Sequence, residues 1–470
     1  MSLLVMKFGG TSVGSVEAIV RAADIVLEQA RAWTQVVVVV SAMNGITDAL
    51  ARGAQTAASG DEQTYRSLVT ELRARHYGVV DGLLSPNGER AKLLTTVDGY
   101  LDEFAAFCRS VHILGEVTPR AMDAITSLGE RINARVLAAV LRQRGIQSQA
   151  VDATELIVTD DTFQHAVPLL EISRTQATAR LGPLLEGGVV AVVTGFIGAT
   201  KGGVTTTLGR GGSDFSAAIL GCCLDAEEVW TWTDVDGVMS ADPRLVADAR
   251  VIPTLSYSEV GELAYFGAKV LHPRTIRPVV ERGIPLRVKN TFNPTHPGTR
   301  VVAEPEAAPG TVKAVTAIEG LSMVTVEGRG MMGVPGIAAR TFVAVAGQGA
   351  SVLMISQASS EQSLSFIIPT AVAAPVIAAI EHEMALELAR RDIDRVWSLD
   401  GVVIVTAVGA GMRGTPGVAH RIFGALAQTS INVIAVAQGS SECTISLVVA
   451  AADAADAVQQ IHREVINHVH

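Results

Sequence analysis

The chain has little of what marks a membrane, secreted or nucleic-acid-binding protein. No uninterrupted apolar run nears the roughly 20 residues that span a bilayer, although 49% of its 470 residues are apolar and only 18% are charged. The opening stretch MSLLVMKFGG shows no charged region followed by a long apolar run and a small-residue cleavage site, so a cytoplasmic location is expected. Cysteine is scarce: Cys108, Cys222, Cys223 and Cys443 show no CxxC spacing, and the adjacent pair is poorly placed to bridge to itself. Buried thiols are expected, with neither a disulfide nor a zinc site. A formal net charge of −10 counts against nucleic acid and acidic membrane surfaces as partners. What remains is small-molecule chemistry on two to four domains.

The last third of the chain contains a duplication. GMMGVPGIAARTF begins at Gly330 and GMRGTPGVAHRIF at Gly411, a displacement of 81 positions that holds without a gap through Gln357 and Gln438 to Glu361 and Glu442. Each copy has Gly and Pro at a turn, an apolar-periodic helix, and a β-branched strand ending in Gln-x-Ser-Ser-Glu. Neither copy contains a nucleophile and base or a set of metal ligands. Ligand sensing or pairing fits it better than catalysis.

The first two-thirds read differently. Short Val-rich runs near 3–8, 36–41, 189–195 and 228–233 are each followed by a Gly-containing turn and a helical pattern, the rhythm of an α/β domain with a mostly parallel sheet. Residues 48–145 read as a helical insertion. Pro, Asn, Thr and Gly concentrate around 290–312, which marks the domain boundary.

Two glycine-rich junctions carry candidate chemistry. The first strand runs into Lys7, Gly9, Gly10, Thr11 and Ser12, where backbone amides can approach phosphate oxygens beside a point charge. An ordinary strand-to-helix turn would carry the same short string, and the two readings stay open on it alone. The second junction places Gly209, Arg210, Gly211, Gly212, Ser213 and Asp214 before an Ala-rich helix, so that several donors converge on one anion. A flexible surface loop is the other reading, and it has no need of Arg and Asp set amid three glycines.

KFGGTSV at 7–13, SLGERINA at 127–134, TTTLGRGGSD at 205–214, WTDVDGVMSADPR at 232–244 and FGAKVLHP at 266–273, taken with the repeat, resemble the aspartate kinases, a branch of the amino acid kinase family with tandem ACT domains. The resemblance covers essentially the whole chain. It implies an amino acid kinase fold over 1–300, a linker at 301–312, and two ferredoxin-like βαββαβ ACT domains. It also implies ATP-dependent phosphorylation of the L-aspartate β-carboxylate, the first step towards Lys, Thr and Met, feedback regulated through the ACT domains. Acetylglutamate, glutamate 5- and uridylate kinases share parts of the fold and lack this combination of motifs. A non-catalytic amino-acid sensor is the alternative, against which stand the intact Lys7, Arg210, Ser213 and Asp214.

Carried over residue by residue, the resemblance makes Lys7, Asp214 and Arg210 catalytic. Thr47, Glu130, Phe196, Arg210 and Ser213 would hold aspartate, Glu130 meeting its ammonium; a helix-start acid favoured by the macrodipole is the other reading of Glu130. Lys7, Gly9, Gly10, Ser12, Thr233, Asp234, Met239, Arg244 and Lys269 would hold ATP, although Asp234 could cap a turn and Lys269 be a solvated helix charge. Relatives often have an aromatic where Met239 stands. Mg²⁺ would enter mainly through ATP, with no protein-built metal site. The acceptor carboxylate, with an ordinary pKa of about 4, needs no general base, so a cation-rich site is expected.

An ACT unit needs four strands. The first repeat finds them at about 321–327, 351–357, 363–368 and 393–397, whereas the second lacks a fourth. The expectation is therefore that 320–398 form one module inserted in another made of 311–319 plus 399–470. Exposed sheet edges would favour a homodimer. Met331, Gly336, Ile337, Ser351, Val352, Gln357 and Gln438 would surround an amino-acid effector. Lysine-sensing relatives often carry an acid where this chain has Leu353, and a buried lysine charge would be unpaired there. The paired Gln resemble those of the threonine-sensing kinase half of aspartate kinase–homoserine dehydrogenase, which favours threonine over lysine; strand-end capping is the other reading of both Gln.

Overall fold

The computed structural model of the chain describes residues 2–266, 271, 273–304, 311–358, 360–439 and 442–467. Its strands in chain order are β1 Leu3–Phe8, β2 Gln35–Val40, β3 Ser148–Val151, β4 Val158–Thr159, β5 Val190–Thr194, β6 Ile197–Thr200, β7 Thr205–Thr207, β8 Glu228–Thr233, β9 Thr254–Ser256, β10 Leu286–Asn290, β11 Thr299–Val302, β12 Ala314–Glu327, β13 Met354–Gln357, β14 Ser363–Pro369, β15 Arg395–Val408, β16 Ala435–Gln438 and β17 Thr444–Ala450. The chain divides into two compact units. One comprises Met1–Val238, Val251–Tyr257 and Val270–Pro305, the other Met239–Arg250, Ser258–Lys269 and Glu306–His470.

The first unit is built on an eight-stranded sheet in the order β3-β5-β2-β1-β8-β10-β11-β9. All its pairings are parallel except β10 with β11. The near-continuous Val runs of β2 and β5 are buried along their length, as a parallel strand covered on both faces requires. Because the strands run the same way, β1 and β2 deliver their following turns to one edge, where the glycine-rich loops lie. A small sheet, β4-β6-β7, stands apart.

The helical insertion consists of helices Ile46–Ala58, Glu62–Leu83, Gly88–Leu114, Pro119–Thr126 and Leu128–Gln143. Asp61, Asn87 and Thr118 cap three of them by accepting from backbone N–H groups three residues on. Their apolar faces join β1, β2 and the helix Val16–Ala32 in one core. Among the described residues no helix is long and apolar enough to cross a membrane.

The second unit holds a six-stranded antiparallel sheet, β13-β14-β12-β15-β17-β16. Its two central strands are 14 residues long and are shared between the repeats. Residues 321–327 of β12 pair with β14 and with 395–402, while 314–318 pair with 404–408, and a register shift separates the two stretches. Gly320 (φ 74°) and Gly401 (φ 69°), again 81 positions apart, occupy left-handed backbone at that break. Helices Ile337–Gly347 and Ala373–Glu383 cover the first repeat, and Val418–Gln428 and Ala454–His462 the second.

Met239–Arg250 lies outside the expected continuous 1–300 domain and packs in the second unit. Ala241 and Val246 join the core of the second repeat, and Ser240 Oγ meets His462 Nε2 at 2.9 Å. Residues 305–310 of the expected linker lie outside the described residues.

Candidate active site

A cavity of about 510 Å³ in the first unit is lined by Lys7, Gly10, Thr47, Glu130, Phe196, Arg210, Ser213 and Asp214, together with Ser41–Gly45, Asp123, Gln164 and Gly209–Gly212. Lys7 reaches it because β1 ends there, and its Nζ lies 2.8 Å from Asp214 Oδ1. Asp214 sits in the first turn of the helix Gly212–Cys223, whose preceding residue Gly211 takes φ 72°. The Gly212 N–H closes back on the Gly209 carbonyl at 2.9 Å, and the next amides of the first turn are left to face an anion. The Arg210 side chain is exposed and has no ion-pair partner among the described residues.

Glu130 stands at the start of the helix Leu128–Gln143. Gly129 allows that helix to press on the loop after β2: a Cβ there would lie 2.8 Å from the Ala42 side chain. The close approach lets the Ala42 N–H donate to Glu130 Oε1 at 3.1 Å. Glu130 is only 3% exposed, and its other oxygen has no partner. Burial pushes its carboxyl up to about 8, against the opposing hydrogen bond from Ala42. Phe196 takes left-handed φ 68° and packs against Gly212, where a Cβ would stand 2.7 Å from its ring.

The cavity is not cation-rich. Lys7 and Arg210 face Asp48, Asp123, Glu130 and Asp214. Three of the four acids are individually compensated: Asp214 by Lys7, Asp123 by four donated hydrogen bonds, and Glu130 by burial that favours its neutral form.

The other expected nucleotide residues are only partly brought together. Gly9 N–H donates to the Trp232 carbonyl at 3.2 Å, which fixes the loop after β1. Ser12 is fully buried; its hydroxyl donates to the same carbonyl and accepts from Thr291 at 2.7 Å, so it ties strands together instead of lining the cavity. Thr233 and Asp234 lie at the carboxyl end of β8, joined by a 3.1 Å hydrogen bond. Met239 and Arg244 belong to the second unit, where Arg244 pairs with Asp242. Lys269 lies outside the described residues.

Asn44, Asp123 and Gln164 line the cavity without having been singled out in the sequence. An isolated Asp in a helix, or a Gln in a loop, carries no motif.

In the second unit the repeats present matching turns. Gly333 N–H donates to Glu361 Oε2 at 3.0 Å, and Gly414 N–H to Glu442 Oε2 at 2.8 Å. Met331 is buried at the first turn, Gly336 (φ 95°) precedes the helix that Ile337 opens, and Ser351 and Val352 lead into β13. Gln357 and Gln438 close β13 and β16. A cavity of about 290 Å³ beside Gln438 is lined by Met412 and the turn Gly414–Ala419.

Residues 2–290 match the model of the amino acid kinase family, and residues 324–384 and 405–465 match that of the ACT domain. The fold is that of an amino acid kinase domain followed by paired ACT domains. The chain is 30% identical to the aspartokinase of Schizosaccharomyces pombe, over 98% of this chain and 92% of the relative. It is 39% identical to the maize bifunctional aspartokinase/homoserine dehydrogenase 2, over 97% of this chain and 50% of the relative, so it spans about half that protein's length. Escherichia coli aspartokinase III in complex with aspartate and ADP superposes with a TM-score of 0.79 at 31% identity, covering 98% of this chain and 99% of the other. The same enzyme with lysine and aspartate gives 0.80 at 30% identity, over 99% of each. The chain therefore belongs to the aspartokinase branch of the amino acid kinase family.

Proposed function

We propose that the chain transfers the γ-phosphoryl group of ATP to the β-carboxylate of L-aspartate, giving 4-phospho-L-aspartate and ADP, the first step towards lysine, threonine and methionine. The observation that carries this reading is one cavity joining the Lys7–Asp214 pair, the unpartnered oxygen of Glu130 and the open Arg210 guanidinium. Arg210 holds a carboxylate of the acceptor as a planar fork. Glu130 receives its ammonium, whose charge restores the ionised form that burial disfavours. Thr47, Phe196 and Ser213 close the pocket around it.

The acceptor carboxylate is ionised at neutral pH and attacks without a base, so positioning and charge neutralisation supply the rate. Lys7 opposes the charge that grows on the transferred group, while the N–H groups of Gly10, Gly211 and Ser213 donate to its oxygens. Thr233 and Asp234, at the carboxyl end of β8, lie where the adenosine end is expected. The residues present fit a divalent cation carried by the triphosphate, since Asp214 is an acid beside Lys7 at the phosphate end of the cavity. Mg²⁺ arriving with ATP would supply charge neutralisation on the phosphoryl oxygens. The E. coli aspartokinase III complex with aspartate and ADP supports both substrates. Trapping the acyl phosphate as a hydroxamate, with ATP and aspartate, tests the reading; its absence at saturating substrates rejects it.

On the regulatory side we read residues 320–398 as one ACT module, and 311–319 plus 399–470 as the other. Threonine is the favoured effector, with lysine the alternative; it would bind at Met331, Gly336, Ile337, Ser351, Val352, Gln357 and Gln438 and favour a state of low substrate affinity. The E. coli aspartokinase III complex with lysine supports an amino acid in this role. Ile355 and Val436, equivalent positions on β13 and β16, are 51% and 42% exposed, which supports pairing of these strands in a homodimer. Monomer elution at micromolar concentration would count against the dimer.

A further inference from the structure

Asp123 has no place in the reading above, yet it is fully buried at the wall of the cavity. It projects from the short helix Pro119–Thr126 and meets two segments distant in the chain. Gln164 N–H donates to both its oxygens, at 3.1 and 3.0 Å. Thr207 donates its N–H to Oδ2 at 2.9 Å and its hydroxyl to Oδ1 at 2.8 Å. Each of these hydrogen bonds is donated to the carboxyl group, an arrangement that favours its ionised form.

The clamp leads towards Arg210. Thr207 ends β7, and Arg210 follows three residues later through Leu208 and Gly209. Gly209 takes φ 77° and lies against the other clamped segment: a Cβ there would stand 2.7 Å from His165 Nδ1 and 3.0 Å from the Gln164 carbonyl oxygen. Gln164 itself is held at φ 70° and lines the cavity.

We propose that Asp123 is a positioning residue for the acceptor end of the site, its carboxylate locking the 164–165 turn to the end of β7 and so setting where Arg210 stands. The proposal rests on Arg210 as the partner of the acceptor carboxylate. An amide at position 123 would turn N–H groups towards N–H groups and release one segment or the other.

The test uses the full chain carrying Asp123→Asn or Thr207→Val. Steady-state kinetics are measured against both substrates, and tryptic cleavage after Arg210 is measured relative to cleavage after Arg391, an exposed residue in a turn of the second unit. For Asp123→Asn the KM for aspartate rises about tenfold, the size of one lost charge-assisted hydrogen bond, while the KM for ATP stays within about twofold. Cleavage after Arg210 accelerates by a similar factor. Thr207→Val, which keeps the backbone donor and the side-chain shape, moves both readouts the same way by about threefold.

Equal rises in both KM values, or unchanged aspartate KM and cleavage, overturn the clamp. Should Asp123→Asn fail to fold, Thr207→Val decides by the same criteria. A wild-type chain that yields no acyl phosphate from aspartate rejects the substrate assignment, and the cleavage ratio then decides the clamp alone.

Discussion

Lys7 and Asp214 meet at 2.8 Å with side chains 10% and 19% exposed, bringing the last turn-facing residue of β1 to the first turn of the helix Gly212–Cys223. A cation so placed is balanced before any nucleotide arrives. Lys7→Ala removes charge stabilisation made chiefly in the transition state, so kcat falls by about two to three orders of magnitude. It also leaves Asp214 largely buried without its cation, which lowers the melting temperature of the unliganded protein. Asp214→Asn added to Lys7→Ala recovers the melting temperature and leaves turnover lost. Near-wild-type kcat for Lys7→Ala at saturating substrates rejects the assignment.

Both glycine junctions were legible because their chemistry is local: Lys7 follows β1 directly, and Arg210 to Asp214 open a helix. The helical insertion and the 81-residue repeat were legible as periodicity, and the repeat's spacing reappears in Gly320 and Gly401. What stayed hidden depends on contacts across long sequence separations. Nothing near Ser240 announces its meeting with His462, so the stretch from Met239 read as part of the first domain. Ser12 looked like a phosphate ligand until Thr291 and the Trp232 carbonyl took up its hydroxyl. The expectation of a cation-rich cavity counted the charge of the substrates and overlooked that burial can neutralise an acid such as Glu130.

Glu130 makes stability depend on pH. Its folded-state value, pushed up to about 8 from an ordinary 4.5, means that ionising it costs the folded protein and not the unfolded one. Its contribution is fully present below about pH 4.5 and is lost as pH rises through 8. Glu130→Gln keeps the acceptor for Ala42 and cannot ionise. Without ligand its melting temperature therefore matches wild type near pH 4.5 and rises above it progressively up to about pH 8, reflecting a gain in unfolding free energy of a few kcal/mol at most. The same variant loses aspartate affinity. A melting-temperature difference that does not vary with pH rejects the buried-acid account.

Within the second unit, the fully buried Glu259 meets Lys313 Nζ at 2.8 Å and accepts the Ala410 N–H at 2.7 Å. Lys313→Met strips the cation from a buried carboxylate, which costs about 3–5 kcal/mol. Adding Glu259→Gln retains an acceptor for Ala410 and removes the charge, so most of that loss returns. Denaturation midpoints of the single and double variants check this; a double variant no more stable than Lys313→Met alone rejects the pairing.

The effector prediction turns on Leu353 and the two glutamines. Leu353 packs with Met354 and Ile367 in an apolar cluster that also takes in Ala435 and Ala437 of β16. A lysine ammonium brought there would have to shed water without gaining a partner, whereas a threonine methyl would not. Gln357 and Gln438 end their strands exposed, each four residues before a left-handed glutamate, Glu361 (φ 56°) or Glu442 (φ 53°), that holds the glycine turn of its own repeat. Either amide is thus presented beside a turn whose neighbouring backbone groups can take an amino acid's ends. Threonine inhibits, and Gln357→Ala and Gln438→Ala each raise the half-inhibitory concentration about tenfold, with substrate KM values measured without effector unchanged. Titrations with threonine and lysine, singly and together, check the order of preference. Inhibition by lysine alone rejects threonine as the effector, and inhibition by threonine that neither glutamine variant weakens rejects the site.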